Sequence, residues 1–91
     1  MKQVKKEFQK TIKAIRGDAK MFPKPMMTTA QMEKSEATVN CGGEWSTAEA
    51  TLEMAKAVMA DSRFTDFLAK NNATANLELN NFKTYQIRIH F

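Results

Sequence analysis

The amino-acid sequence predicts a small α+β domain in which two to three helices pack on a two- to three-stranded antiparallel sheet. Three patterns lead to this fold class. Apolar residues recur at helical spacing near the N-terminus, an alanine-rich segment with capping residues favours further helices, and the last seventeen residues alternate as a C-terminal β-hairpin. Because 91 residues support one modest hydrophobic core, we expect residues 1–91 to form a single domain.

Residues 2–16 are predicted to form a basic amphipathic helix. Its apolar residues recur at spacings of three and four, which places them on one stripe: Val4, Phe8, Ile12 and Ile15. Basic residues cover the rest of its surface: Lys2, Lys5, Lys6, Lys10, Lys13 and Arg16. We expect Gly17 to end the helix in a left-handed conformation, which glycine adopts without steric cost.

Residues 17–35 are predicted to form a loop rich in methionine and proline. Pro23 and Pro25 lack backbone N–H donors and favour extended neighbours, so the segment around them cannot be helical. A short helical turn is expected only from Thr29 to Lys34. The methionine and phenylalanine side chains beside the prolines suggest either an adaptable apolar binding surface or a loop that folds over the core.

Residues 36–91 are predicted to follow the order β-α-α-β-β. Alternation of Ala37, Val39 and Cys41 with polar residues indicates a short strand. Ser46 and Glu49 have the spacing of a capping box, which predicts a helix from about residue 47 to residue 60.

A shorter helix is expected to follow the capped one. Asp61 and Ser62 offer a second N-cap, and the helix that they begin carries Phe64, Phe67 and Leu68. Asn71 and Asn72 are expected to end this shorter helix.

The hairpin is predicted from two alternating runs. Their apolar residues are Ala75, Leu77 and Leu79 on the first strand and Tyr85, Ile87, Ile89 and Phe91 on the second. A two-residue turn at Asn80 and Asn81 would put the two apolar sets on opposite faces, so the loop must have an odd length. A three-residue loop (80–82) pairs Leu77 with Tyr85, and a five-residue loop (80–84) pairs Leu77 with Ile87. We favour the shorter loop, with an asparagine in the left-handed position.

Cysteine usage and hydropathy bear on the compartment. Cys41 is the single cysteine, so no intrachain disulfide can form, which is typical of a reducing compartment. No export signal or apolar stretch of transmembrane length is readable. We therefore expect a cytoplasmic protein that does not associate with membranes.

Charge is unevenly distributed along the chain. Residues 1–25 carry eight basic and two acidic residues, whereas residues 26–91 carry six basic and eight acidic ones. The whole net charge of +4 therefore arises in the first quarter of the chain.

No residue pattern indicates catalysis. Cys41 precedes two glycines and a helix start, where its pKa could be lowered, but we expect a small buried hydrophobe there and a solvated strand residue at His90. Neither a pair of carboxylates nor a phosphate-binding loop is evident. We expect no enzymatic activity, no cofactor and no metal site.

The sequence favours a non-enzymatic interaction protein that occupies a surface of a larger protein or nucleoprotein complex. A phage or mobile-element modulator of host machinery would fit, for example an anti-CRISPR-type inhibitor. The first alternative is a small nucleic-acid-binding protein that uses the basic helix, and the second is a self-assembling protein, for instance a homodimer. The predicted partner-binding residues are Lys5, Lys6, Lys10, Lys13, Arg16, Lys20, Met21, Phe22 and Lys24.

Overall fold

The computed structural model describes residues 2–17, 29–33, 35–41 and 47–91. Its elements are, in chain order, α1 (Lys2–Arg16), β1 (Thr29–Glu33), β2 (Glu36–Asn40), α2 (Ala48–Ala60), α3 (Ser62–Lys70), β3 (Thr74–Leu79) and β4 (Tyr85–His90). The strands form one antiparallel sheet in the order β1-β2-β4-β3. The predicted α+β class and the C-terminal hairpin are confirmed.

The helices cover one face of the sheet. α2 packs on β4, α1 packs on β1, and α3 packs against both helices. The predicted stripe of α1 faces this core, since Phe8, Ile12 and Ile15 are buried and Val4 packs at its edge. Among the described helices, none is long and apolar enough to cross a membrane.

Aromatic contacts join the helices to the sheet. The ring centroid of Phe67 on α3 lies 5.9 Å from that of Phe8 on α1 and 5.9 Å from that of Phe91, which follows β4. The second contact is edge-to-face, with an interplanar angle of 81°. This arrangement suits the aromatic quadrupoles and fixes α1 and α3 relative to one end of the sheet.

Residues 29–33 form a strand, so the predicted loop with a helical turn from Thr29 to Lys34 is wrong there. β1 pairs with β2 over five residues, from Thr29 opposite Asn40 to Glu33 opposite Glu36. β2 supplies a hydrogen-bonding edge that sequence propensity cannot anticipate, and Met32 packs against the core. The described sheet consequently has four strands, one more than the largest number expected.

The β3–β4 loop spans residues 80–84, so the favoured three-residue loop is wrong and the five-residue alternative is confirmed. Leu77 pairs with Ile87, and Ala75 pairs with Ile89. The Asn80 side chain selects this length: its Oδ1 accepts hydrogen bonds from the N–H groups of Phe82 (2.9 Å) and Thr84 (3.1 Å). Lys83, not an asparagine, takes the left-handed position, with φ 60°.

Two helix starts are defined by capping side chains. The N-cap of α2 is Thr47, whose hydroxyl accepts a hydrogen bond from the Ala50 N–H at 3.1 Å. The predicted capping box at Ser46 and Glu49 therefore begins one residue too early, and Ser46 lies outside the described residues. Asp61 caps α3 as predicted, because its Oδ1 accepts from the Arg63 N–H at 2.9 Å.

The helix ends differ in how closely they follow expectation. Gly17 donates its N–H to the Lys13 carbonyl at 2.9 Å and has no positive φ, so the expected left-handed ending is wrong. At the end of α3, Asn72 has φ 52°. The Ala73 N–H reaches the Leu68 carbonyl at 2.9 Å, which satisfies one of the last carbonyls of the helix. The predicted ending of α3 at its asparagine pair is confirmed.

Candidate functional site

The exposed side of α1 is a continuous basic surface. Five of the predicted partner-binding side chains lie on it and are exposed to solvent: Lys5, Lys6, Lys10, Lys13 and Arg16. At about 100° per residue these five fall within an arc of about 140°, beside the buried stripe, and they span about 16 Å along the axis. We call these five residues the basic arc. No acidic residue lies within it.

The opposite flank of α1 is occupied by α3. Lys70 Nζ lies 3.3 Å from Glu7 Oε1, and Arg63 Nη1 donates a hydrogen bond to the Ala14 carbonyl at 3.3 Å. The ion pair with Lys70 uses Glu7, the acidic residue of α1, and both contacts lie on the side of the helix away from the basic arc. No side chain of the basic arc forms an ion pair with another described residue.

The basic arc opposes the stability of its own helix. Lys6–Lys10, Lys10–Lys13 and Lys13–Arg16 stand three or four residues apart, a spacing at which like charges each cost about 0.2–0.5 kcal/mol. The first turn of α1 also lacks an acidic residue to complement the helix dipole. Burial of Phe8, Ile12 and Ile15 therefore holds the helix in place, and an anionic ligand would relieve the repulsion.

The outer face of the sheet carries a network of charged residues centred on Arg88. Arg88 Nε lies 2.9 Å from Glu78 Oε2, and its Nη1 lies 3.3 Å from Glu36 Oε2. His90 Nδ1 is 3.5 Å from Glu36 Oε1. The hydrogen bond from Arg88 lowers the pKa of the Glu78 carboxyl, so this carboxylate stays ionised at neutral pH. The face is thus charge-compensated and unlike the basic arc.

Cys41 and His90 lie on opposite faces of the sheet. Cys41 is fully buried, and burial raises the pKa of its thiol to about 12. Its Sγ–H points to the Val39 carbonyl at 3.8 Å, which agrees with the interpretation of a small buried hydrophobe. The alternative of a lowered pKa is wrong. Within the described residues, no group of three or more His, Cys, Asp or Glu side chains could hold a metal ion.

Two exposed apolar side chains near the tip of the hairpin were not anticipated as surface features. Phe82 is 87% exposed and Leu79 is 57% exposed. The sequence placed Leu79 on the apolar face of the sheet, and it lies at the end of that face where no helix covers it. Phe82 is carried outward by the five-residue loop.

The remaining predicted partner-binding residues lie outside the described part of the chain: Lys20, Met21, Phe22 and Lys24. The structure therefore brings together the helical members of the predicted site and does not describe its loop members. The chain matches no known family, no curated protein and no solved structure with which it was compared.

Proposed function

We propose that the protein is a non-enzymatic interaction protein that docks α1 on an anionic surface of a larger protein or nucleoprotein complex and thereby modulates it. The observation that carries this proposal is the basic arc: five exposed cationic side chains on one side of a helix, none paired with another described residue. Such a surface attracts phosphates or carboxylates and speeds association with them.

The position of other charges limits the size of the contact. Glu36 and Glu78 lie on the outer face of the sheet, and Glu49 and Glu53 are exposed on α2. Arg88 compensates the charges of Glu36 and Glu78, so the sheet face does not attract a polyanion, and Glu49 and Glu53 repel one that extends onto α2. Among the described residues, the clustered positive charge therefore spans about 16 Å on one helix, which suits a bounded anionic groove on a partner.

A partner of this kind is a nucleoprotein complex, because its bound nucleic acid supplies a short row of accessible phosphates. A small protein that covers these phosphates would block access to the complex. This is the role suggested by the sequence for a phage or mobile-element protein acting on host machinery, including an anti-CRISPR-type inhibitor.

Two matched double charge reversals test the proposal. Lys10→Glu with Lys13→Glu alters the basic arc, and Lys56→Glu with Lys83→Glu makes the same change in net charge at exposed lysines elsewhere. Each tagged variant is used for affinity capture from host lysate with quantitative mass spectrometry, and circular dichroism verifies folding. We expect the partner recovered by the unchanged protein to be lost with the first variant and kept with the second. Equal recovery by both variants would contradict the proposal.

Direct binding of nucleic acid is the second candidate, and the absence of acidic residues from the basic arc favours it. If five arc residues each neutralise one phosphate of duplex DNA, the logarithm of the affinity falls with the logarithm of salt concentration with a slope of about −4.5. A fourfold rise in salt then weakens binding by roughly 500-fold. A gel shift with a random duplex measures this slope. Absence of binding at low salt would exclude direct nucleic-acid binding and would leave docking on a larger protein or nucleoprotein complex as the proposal.

A further inference from the structure

β3 forms an edge of the described sheet, and no strand within residues 2–17, 29–33, 35–41 and 47–91 covers its outer side. Among the described strands it pairs with β4 alone, through six consecutive residue pairs from Thr74 opposite His90 to Leu79 opposite Tyr85. An edge strand presents a row of N–H and C=O groups that can pair with another strand. The helix layer does not protect this edge, because α2 packs on β4 and α1 packs on the distant β1.

The register of the hairpin shows which backbone groups face the open side. The Asn80 N–H donates to the Thr84 carbonyl at 2.9 Å, so these two residues form a hydrogen-bonded pair. Such pairs alternate along an antiparallel ladder, and the even-numbered residues of β3 therefore bond to β4. The N–H and C=O groups of Ala75, Leu77 and Leu79 point away from β4, toward the open side.

The open edge lacks the features that keep edge strands apart. Residues 74–79 contain no lysine and no proline, and their register with β4 has no bulge. The charge of Glu78 is compensated by Arg88 at 2.9 Å. On the inner face, Ala75 and Leu77 are only half-buried, and Leu79 is 57% exposed. Apolar surface and free backbone groups thus occur together on one strand.

We propose that two copies of the protein pair through β3 about a two-fold axis, with Leu77 opposite Leu77 of the second copy. This register places Ala75 opposite Leu79 and Asn76 opposite Glu78, twice each. The inward-pointing pairs join the two apolar faces and cover Leu79. The outward-pointing pairs set an amide donor beside a carboxylate.

Other registers of the β3–β3 pair are less favourable. A shift by one residue would place apolar side chains opposite polar ones on the wrong face. An axis at Glu78 sets two carboxylates directly opposite each other, which is destabilising. An axis at Asn76 carries Leu79 past the end of the partner strand. The axis at Leu77 avoids each of these costs and makes six backbone hydrogen bonds from three residues per copy.

The resulting dimer has a continuous eight-stranded sheet with both helix layers on one face. The two copies of α1 lie at its far edges, because β1 and β3 are the opposite edges of each sheet. The dimer interface is therefore separate from the basic arc. If the protein proves to be a monomer, the proposed function of the basic arc is unaffected. If the basic arc proves to bind no partner, the proposed dimer is likewise unaffected.

The oligomeric state of the purified protein tests the inference. Sedimentation velocity from micromolar to millimolar concentration is expected to show a monomer–dimer equilibrium. Amide hydrogen exchange is expected to slow with concentration at Ala75, Leu77 and Leu79, which face the open side. Leu79→Lys introduces a charge at the interface and is expected to abolish the dimer, whereas Phe82→Lys makes the same change in the loop and is expected to keep it.

Disulfide capture tests the register, because Cys41 is buried and does not compete. Leu77→Cys places two thiols in a hydrogen-bonded pair with Cα atoms about 5.5 Å apart, within the range for a disulfide. Mild oxidation is expected to link this variant into a covalent dimer faster than Glu78→Cys. A monomer at every concentration, a dimer unaffected by Leu79→Lys, or growth into larger polymers would overturn the inference.

Discussion

The hydroxyl group of Thr51 is predicted to hold α2 on the sheet through a single, partly buried hydrogen bond. Tyr85 lies one residue beyond the last β2–β4 pair, so its N–H has no strand partner on that side. Thr51 Oγ1 accepts from this N–H at 2.9 Å and lies 3.0 Å from the Thr47 carbonyl, to which it can donate. Thr51 is fully buried and Tyr85 is half-buried, so the bond is partly shielded from water.

Thr51→Val removes this acceptor while keeping the shape of the side chain and a similar helix propensity. The partly buried Tyr85 N–H then loses its acceptor, which costs about 1–3 kcal/mol. For a domain of this size the loss corresponds to a fall in melting temperature on the order of 5–20 °C. Thermal and urea unfolding followed by circular dichroism measure the change.

Thr51→Ser is the matched control, because it keeps the hydroxyl and removes a methyl group. Loss of that methyl costs about 1 kcal/mol. We expect the valine variant to be at least as destabilised as the serine variant and to lose protection of the Tyr85 amide in hydrogen exchange. A valine variant as stable as the unchanged protein would refute the reasoning, since packing alone would then explain the threonine.

Two further predictions concern the hairpin loop and the start of α3. Asn80→Ala should lower the free energy of unfolding by about 1–2 kcal/mol, because the N–H groups of Phe82 and Thr84 lose their acceptor. Asn80→Asp keeps the acceptor and should lower it less, as measured by urea unfolding. Equal losses of stability in the two variants would contradict this role of Asn80. The Arg63 hydrogen bond lowers the pKa of the Asp61 carboxyl from 3.8, so its contribution to stability is present above that pH and is lost as the pH falls through the lowered value. Asp61→Asn keeps a capping oxygen but removes the charge, so the stability difference from the unchanged protein should narrow in urea unfolding as the pH falls from 7 to about 3. A difference that does not vary with pH would contradict the sign of this pKa shift.

Much of the fold could be predicted because periodicity and capping residues within single segments determine the helices and the hairpin. The spacing of Phe8, Ile12 and Ile15 defined the buried side of α1, and Asp61 marked the start of α3. The same helical spacing determines which side chains of α1 remain exposed, so the helical part of the candidate site followed from the sequence as well. A binding role for that surface stays a prediction.

The features that the sequence did not predict depend on partners distant in the chain. Thr29–Glu33 becomes a strand because β2 supplies its hydrogen bonds. The propensity of these five residues alone is too weak to predict a strand. No local pattern links Thr51 to Tyr85, 34 positions away, because only the packing of α2 on β4 brings the two together.

The sequence by itself determined the three helices, the C-terminal hairpin and the basic surface of α1, because each depends on periodicity within one segment. Tertiary structure decided the fourth strand, since pairing supplies hydrogen bonds that propensity cannot. It also decided which edge stays uncovered among the described residues, because the helices pack mainly on β1 and β4 and the outer side of β3 has no described strand beside it. The length of the hairpin loop lay between these cases: alternation required an odd number of residues, and the contacts of Asn80 with Phe82 and Thr84 selected five.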